Sequence, residues 1–298
     1  MTVKPILSSH EGHLIPGVLL EKQVHVTMVG CGGTGTALAS GLPLLHQAML
    51  ALGHPHGLDV SLVDGDRISP TNCVRQPFCE NEIGLFKSTV LATRINLFYG
   101  LGWRAYPCFV DESWRNETDI LISCVDTRKA RKMLMRTAAY HACHYWLDIG
   151  NNATTGQFVL GQPDNRTNSK CSSRLPTVAE LFPEIVDAEL DRKDSLPSCS
   201  AVEALTRQEP FINQSLANLA LAMLARLFRH GRVSYHAAFV NLESGMAAPV
   251  AVNPVAWKRI TEANENTVFS GRSRKSRKGI DAASRRNGRP RRSGKRSA

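Results

Sequence analysis

The chain has 298 residues, 43% of them apolar, enough for one large domain or two small ones, and a formal net charge of +10. The charge is uneven: twelve of the 36 Lys/Arg and one of the 26 acidic residues fall in 271–298, so residues 1–270 carry 24 basic against 25 acidic side chains. This excludes a uniformly basic nucleic-acid-binding domain, and no apolar run approaches the roughly 18 residues that a membrane span needs.

Residues 24–30 ("VHVTMVG") form a Val-rich run ending in glycine, the pattern of a buried parallel strand. A helix is expected from Gly32 to about Leu52, bent at Pro43 and closed by Gly53. "LDVSLVD" at 58–64 predicts a second strand, and 85–98 a helix with Val90, Leu91, Ile95 and Phe98 on one stripe. "RAYPCFV" at 104–110 reads as a weaker strand and "DILISCVD" at 119–126 as a strong one. A helix over 128–143 and the strand "YWLDIG" complete the alternation. Such alternation over 24–150 implies a Rossmann-like, doubly wound, mainly parallel sheet, whose ligands sit outside the carboxyl ends of the strands. Gly30, Asp64 and Asp126 share that rim.

Residues 161–200 are rich in Pro and Asn, with little periodicity, and a connection this long is usually functional. Helical spacing returns over 210–228, and "HAAFVNL" and "APVAVN" are expected as a terminal antiparallel pair of strands. The expected organisation is one domain over 1–263, with a core at 24–160, a crossover at 161–200 and a C-terminal helix and strands at 201–263. A basic tail at 264–298, almost without apolar residues, is expected to be disordered when free.

"GCGGTG" at 30–35 places G-x-G-x-x-G through Gly30, Gly32 and Gly35, with Gly33 in addition, between a strand and a helix. Glycines admit phosphates close to the backbone, and the helix N-terminus offers unpaired N–H groups. A dinucleotide site expects its ribose acid about 20 residues after the glycines; Asp64 stands 29 after Gly35. The following "VDGDRISPTNCVRQ" holds more polar groups than a ribose requires: Asp66, Asn72, Arg75 and Gln76. Arg75 and Lys87 suit a triphosphate, and Asp126 suits a magnesium ion. Taken singly, these are solvated charges and a helix cap. Their joint order favours ATP over a nicotinamide cofactor.

"GCGGTG", "VDGDRISPTNCVRQ", "IGLFK" and "SCVD" follow the order and spacing of the ThiF/MoeB/HesA superfamily, the ubiquitin-activating-enzyme-like adenylyltransferases. The sequence resembles that family over 24–160, more loosely through 161–260, and most resembles the subgroup found in PRTRC plasmid cassettes. The resemblance implies that Gly30, Gly32, Gly33 and Gly35 line the nucleotide and that Asp64 binds its ribose. It implies phosphate contacts for Asn72, Arg75 and Lys87, and the magnesium position for Asp126. Asp66 and Gln76 fall within the same motif without individual roles. The implied activity is ATP-dependent adenylation of the C-terminal glycine carboxylate of a ubiquitin-like or sulfur-carrier protein, by a homodimer. Arg75, Lys87 and Mg²⁺ would relieve repulsion between the carboxylate and the α-phosphate.

Cys199, in "LPSCSAVEAL", matches the family's position for an acyl-accepting cysteine; a buried, inert thiol is the alternative, and Cys171 is a poorer candidate. Cys31 is expected to face the nucleotide or the core, and Cys73, Cys79, Cys108, Cys124 and Cys143 to serve packing. None of the eight cysteines forms a CxxC pair, so no structural zinc is expected, and the ten histidines suggest no ligand set. The start, "MTVKPILSSHEGH", lacks the layout of a secretion signal, which with unpaired thiols implies a cytoplasmic protein. The first 23 residues contain no arginine, whereas relatives often begin with an arginine-bearing helix. The tail at 271–298 has no aromatic residue for base stacking; nonspecific nucleic-acid binding, docking on an acidic partner and solubilisation stay open. Three rival readings follow: a non-catalytic nucleotide-binding scaffold, a plasmid factor working through its tail, and, least favoured, a nicotinamide oxidoreductase.

Overall fold

A computed structural model describes residues 12–171, 174–191 and 209–262. Cys199 and the basic tail lie outside the described residues. In chain order the elements are β1 (His13–Leu14), α1 (Val18–Glu21), β2 (Val24–Val29), α2 (Gly33–Ala51), β3 (Leu58–Val63), α3 (Asn72–Arg75), α4 (Lys87–Tyr99) and β4 (Arg104–Tyr106). Then come β5 (Ile120–Ser123), α5 (Arg128–Tyr140), β6 (Tyr145–Asn151), β7 (Thr155–Gly161), α6 (Val178–Leu181), α7 (Ile212–His230), β8 (Arg232–Val233), β9 (Tyr235–Asn241) and β10 (Met246–Ala251). Residues 254–262 form a last helix, α8.

Eight strands make one sheet in the order β10-β9-β7-β6-β5-β2-β3-β4. The pairs from β6 to β4 are parallel; β7, β9 and β10 add an antiparallel extension. The fold is therefore the expected doubly wound α/β type. Its apolar strands are buried because helices cover both faces. Alternate residues split between two cores: Met28, Ile122, Leu147 and Phe158 pack under α2 and α7, whereas Val29, Leu121, Trp146 and Val159 pack under α5 and α6. No helix among the described residues is long and apolar enough to cross a membrane.

Several boundaries differ from the sequence reading. The strand expected over 104–110 stops at Tyr106, because Pro107 cannot donate to the ladder. The helix expected to 143 ends at Tyr140, where Ala142 takes a left-handed φ of 55°. Strand β7 went unseen, although it carries the turn from parallel to antiparallel pairing. Cys79 and Cys108 are exposed rather than packed; Cys108 sits in the loop that the shortened β4 releases.

Candidate functional site

Strand order reverses between β5 and β2, the place where doubly wound sheets bind ligands. A cavity of about 1210 Å³ opens there, along the carboxyl ends of β3, β2, β5 and β6. Each glycine of the loop has a different reason to be glycine. Gly30 has φ 95°, and a Cβ on it would come within 2.9 Å of the Cys124 carbonyl carbon. A Cβ on Gly35 would run into the Gly30 carbonyl, so this residue seats the loop on itself and does not line the cavity. Gly33 lies under the Asn213 amide of α7, whereas a Cβ on Gly32 would meet nothing within 4 Å. Gly30, Gly32 and Gly33 line the cavity; Gly32 is the one whose missing side chain leaves open space.

Asp64 directly follows β3 and is 9% exposed. Its Oδ2 accepts from the Cys31 N–H at 2.6 Å and its Oδ1 from the Asp66 N–H at 2.7 Å, tying the glycine loop to β3. Burial raises its pKa, against the opposing pull of these donors and of Lys87. A carboxylate has about four acceptor sites, so this tie leaves capacity for a ligand hydroxyl. Asp66 acquires a partner: it accepts from Lys87 Nζ at 3.0 Å, and its carbonyl accepts from the Lys87 N–H. The second acid of the motif thus holds the first residue of α4 at the cavity wall.

Asn72 uses Oδ1 to accept from the Ser69 N–H at 2.9 Å, leaving its amide nitrogen without a partner among the described residues. Arg75 Nε and Gln76 Oε1 are buried with no hydrogen-bond partner, although buried polar atoms are nearly always satisfied. All three residues line the cavity, as do Lys87 and Asp126. Asp126 is exposed and is not the cap of α5; the Thr127 hydroxyl serves there, accepting from the Ala130 N–H. The structure thus gathers Gly30, Gly32, Gly33, Asp64, Asp66, Asn72, Arg75, Gln76, Lys87 and Asp126 in one cavity and sets Gly35 behind its wall.

Sequence reasoning missed the far side. Arg131 of α5 and Asp148 of β6 form a buried pair, with Nε 3.1 Å from Oδ1. The Ser123 hydroxyl donates to Asp148 at 2.5 Å and accepts from the Trp146 ring N–H at 2.7 Å. The Thr34 hydroxyl lies 2.8 Å from Asn213 Oδ1 and 3.1 Å from Asn151 Oδ1, joining α2, α7 and β6 above the loop. Asp191, from the crossover, accepts from the Arg128 N–H at 3.0 Å and the Lys129 N–H at 2.9 Å, so a carboxylate of the chain itself occupies the N-terminus of α5. Arg131 stands in "TRKARK" at 127–132, where nothing local marks it for burial; only the fold buries it.

Among the cysteines, Cys31 is buried beside Asp64 and its thiol pKa is well above the ordinary value, while burial pushes Cys143 up to about 12. No group of three or more His, Cys, Asp or Glu that could hold a metal occurs among the described residues.

The chain belongs to the ThiF family, whose model matches residues 19–259. The crystal structure of PaaA resembles it with a TM-score of 0.53 at 13% identity, covering 78% of this chain and 73% of PaaA. E. coli MccB gives 0.51 at 16%, covering 78% of this chain and 63% of MccB, and MccB with AMPCPP and MccA gives 0.50 at 17%, covering 78% and 65%. The match thus spans under two thirds of MccB, and at these identities the likeness is one of fold. No curated protein matches the sequence.

Proposed function

We propose that the protein is an adenylyltransferase that uses Mg-ATP to activate the C-terminal glycine carboxylate of a ubiquitin-like or sulfur-carrier protein. Membership of the ThiF family and the fold shared with MccB, a protein crystallised with AMPCPP and MccA, support adenylyl transfer in general. The observation that carries the reading is the pair of orphaned buried atoms, Arg75 Nε and Gln76 Oε1, in the wall of a cavity that already has a glycine loop and a strand-end acid. Buried polar atoms are nearly always paired, so two side chains each left with an unpaired atom beside the cavity support a wall that settles around a phosphate-bearing ligand.

In this reading the ribose meets Asp64. The base lies near Phe109, an exposed ring over Gly65 where a Cβ would come within 2.7 Å. The phosphates meet the loop N–H groups, Asn72, Arg75 and Lys87. The cavity wall carries Arg75, Lys87, Arg128 and Arg131 against Asp64, Asp66, Asp126, Glu184 and Asp191, so the protein alone does not neutralise a triphosphate. One exposed carboxylate without a full cage fits magnesium, which binds through one or two carboxylates plus substrate phosphates. Asp126 would hold it, and the ion would supply charge neutralisation at the phosphates. Transfer of the acyl group to Cys199, action as a homodimer and accessory polyanion binding by residues 271–298 belong to the same proposal.

The test is ATP–pyrophosphate exchange with small glycine-ending proteins as candidate carriers. Exchange should require a carrier and fall at least 100-fold in Asp126→Ala and Lys87→Ala. Exchange that survives both substitutions, or none with any carrier, refutes the reading.

A further inference from the structure

On one face of the sheet, Gly150 of β6, Gln157 of β7 and Phe239 of β9 stand side by side in register. Gly150 has no side chain, and the space above it is claimed from both sides. A Cβ placed there would lie 2.7 Å from Arg131 Nη2 and 3.2 Å from Gln157 Nε2. The two nitrogens therefore stand within about 6 Å of each other, a span that one carboxylate or carbonyl oxygen bridges with ordinary hydrogen bonds of about 2.9 Å.

Both donors are unspent. Arg131 is 7% exposed and gives only Nε to Asp148, while its Nη groups have no partner among the described residues. The Gln157 side chain likewise has none. Asp148, fully buried and held by Ser123, fixes the guanidinium by its Nε edge and leaves the Nη edge toward Gly150. Arg131, Gly150 and Gln157 all line the cavity, on the opposite side of the glycine loop from Asp64, because β6 lies beyond β5 and β3 lies beyond β2. The same row continues to Phe239, which stacks edge-on with Phe182 at 5.6 Å and lines a second cavity of about 290 Å³ running along β9 and β10.

We infer that Arg131 Nη and Gln157 Nε2, converging over the bare Cα of Gly150, are the receptor for the acyl end of the substrate. The inference rests on the adenylation reading. One oxygen of the carboxylate accepts from the two donors while the other forms the new bond to the α-phosphorus. The bond from that phosphorus to the bridging oxygen breaks, and pyrophosphate leaves with the electron pair. No proton moves. The bound oxygen becomes the carbonyl oxygen of the mixed anhydride and keeps both hydrogen bonds. The Phe182–Phe239 side is the route by which an extended chain reaches them.

Two ligands anchored by the same adenosine test this without knowledge of the carrier: AMP, and 5′-O-(N-glycylsulfamoyl)adenosine, which adds a glycyl carbonyl beside the phosphate position. Titration calorimetry should show the glycyl compound binding at least tenfold more tightly than AMP. Gln157→Leu should cut that ratio to threefold or less with AMP affinity unchanged. Arg131→Met strands a buried acid, so the double variant Arg131→Met/Asp148→Met, which removes both charges, should erase the ratio. Equal binding of the two ligands to the unaltered protein overturns the inference, as does a ratio that survives both variants. Failure of AMP to bind at all would instead sink the nucleotide reading beneath it.

Discussion

Gly32→Ala and Gly35→Ala separate what the glycine loop does for the fold from what it does for a ligand. At Gly35 the added methyl lies 2.8 Å from the Gly30 carbonyl carbon and closer still to its oxygen, and both are backbone atoms that cannot rotate away. Gly30 is itself pinned against the Cys124 carbonyl, so the loop has nowhere to retreat. Overpacking of this kind costs about 1–3 kcal/mol, against a gain of at most about 1 kcal/mol from alanine's helix propensity. A methyl driven into the backbone carbonyl of Gly30 puts the cost at the upper end, leaving a net loss of about 2–3 kcal/mol, and at about 2–4 °C per kcal/mol the melting temperature should drop by roughly 4–12 °C. At Gly32 the methyl meets nothing, and its φ of −77° suits any residue, so the loss is confined to the weaker N-cap, about 1 kcal/mol or less. Yet that methyl projects where phosphates would approach the loop, and ATP affinity should fall at least tenfold, or about 1.4 kcal/mol. Thermal melts and ATP titrations on both variants supply the comparison. A Gly32→Ala protein that binds ATP normally, or a Gly35→Ala protein that melts like the parent, would refute this division of roles.

Two further outcomes follow from buried polar groups. Asp64→Ala removes the acceptor of two backbone N–H groups and should cost about 2–4 kcal/mol, visible as a lower denaturant midpoint without any nucleotide; an unchanged midpoint would reduce Asp64 to a ligand contact. His13 and His236 are held neutral by burial, with pKa values lowered from 6.5 to about 4. Between those values the unfolded chain binds more protons than the fold. Stability should therefore be intact above pH 6.5, decline as pH falls toward 4 and level off below it, by at most about 3 kcal/mol per histidine. His236→Phe should flatten the denaturant midpoint's pH dependence; an unaltered slope would assign it to other groups.

The legible part of this protein was what depends on neighbours in sequence. The runs at 24–29, 58–63 and 120–123 are strands buried on both faces and read as continuous apolar stretches. "GCGGTG" lies between such a strand and a helix, so its place on the rim followed from topology. The motif residues from Asp64 to Gln76 all fall in the connection that carries α3, and their gathering was equally local. Arg131, Asp148, Gln157 and Asn213 were illegible for the opposite reason: each comes from a different element, and their meeting depends on strand order. A surplus charge in "TRKARK" has no signature of burial until β6 supplies an acid in register with Ser123. Gly35 shows a subtler failure, since one spacing rule covers glycines that face a ligand and glycines that face backbone.

Asp191 fastens the crossover to α5. Its carboxylate is drawn to the N-terminus of α5, with its pKa lowered mainly by the Arg128 and Lys129 N–H groups, and it is the last described residue before 192–208. The helix it grips carries Arg131, and the residue just before its cap is Asp126. The fastening is electrostatic and accessible to solvent, so it loosens with ionic strength over a Debye length of about 8 Å at physiological salt. Asp191 lines the same cavity as Asp126 and Arg131, so added salt screens the fastening of the crossover and the charges of the site together.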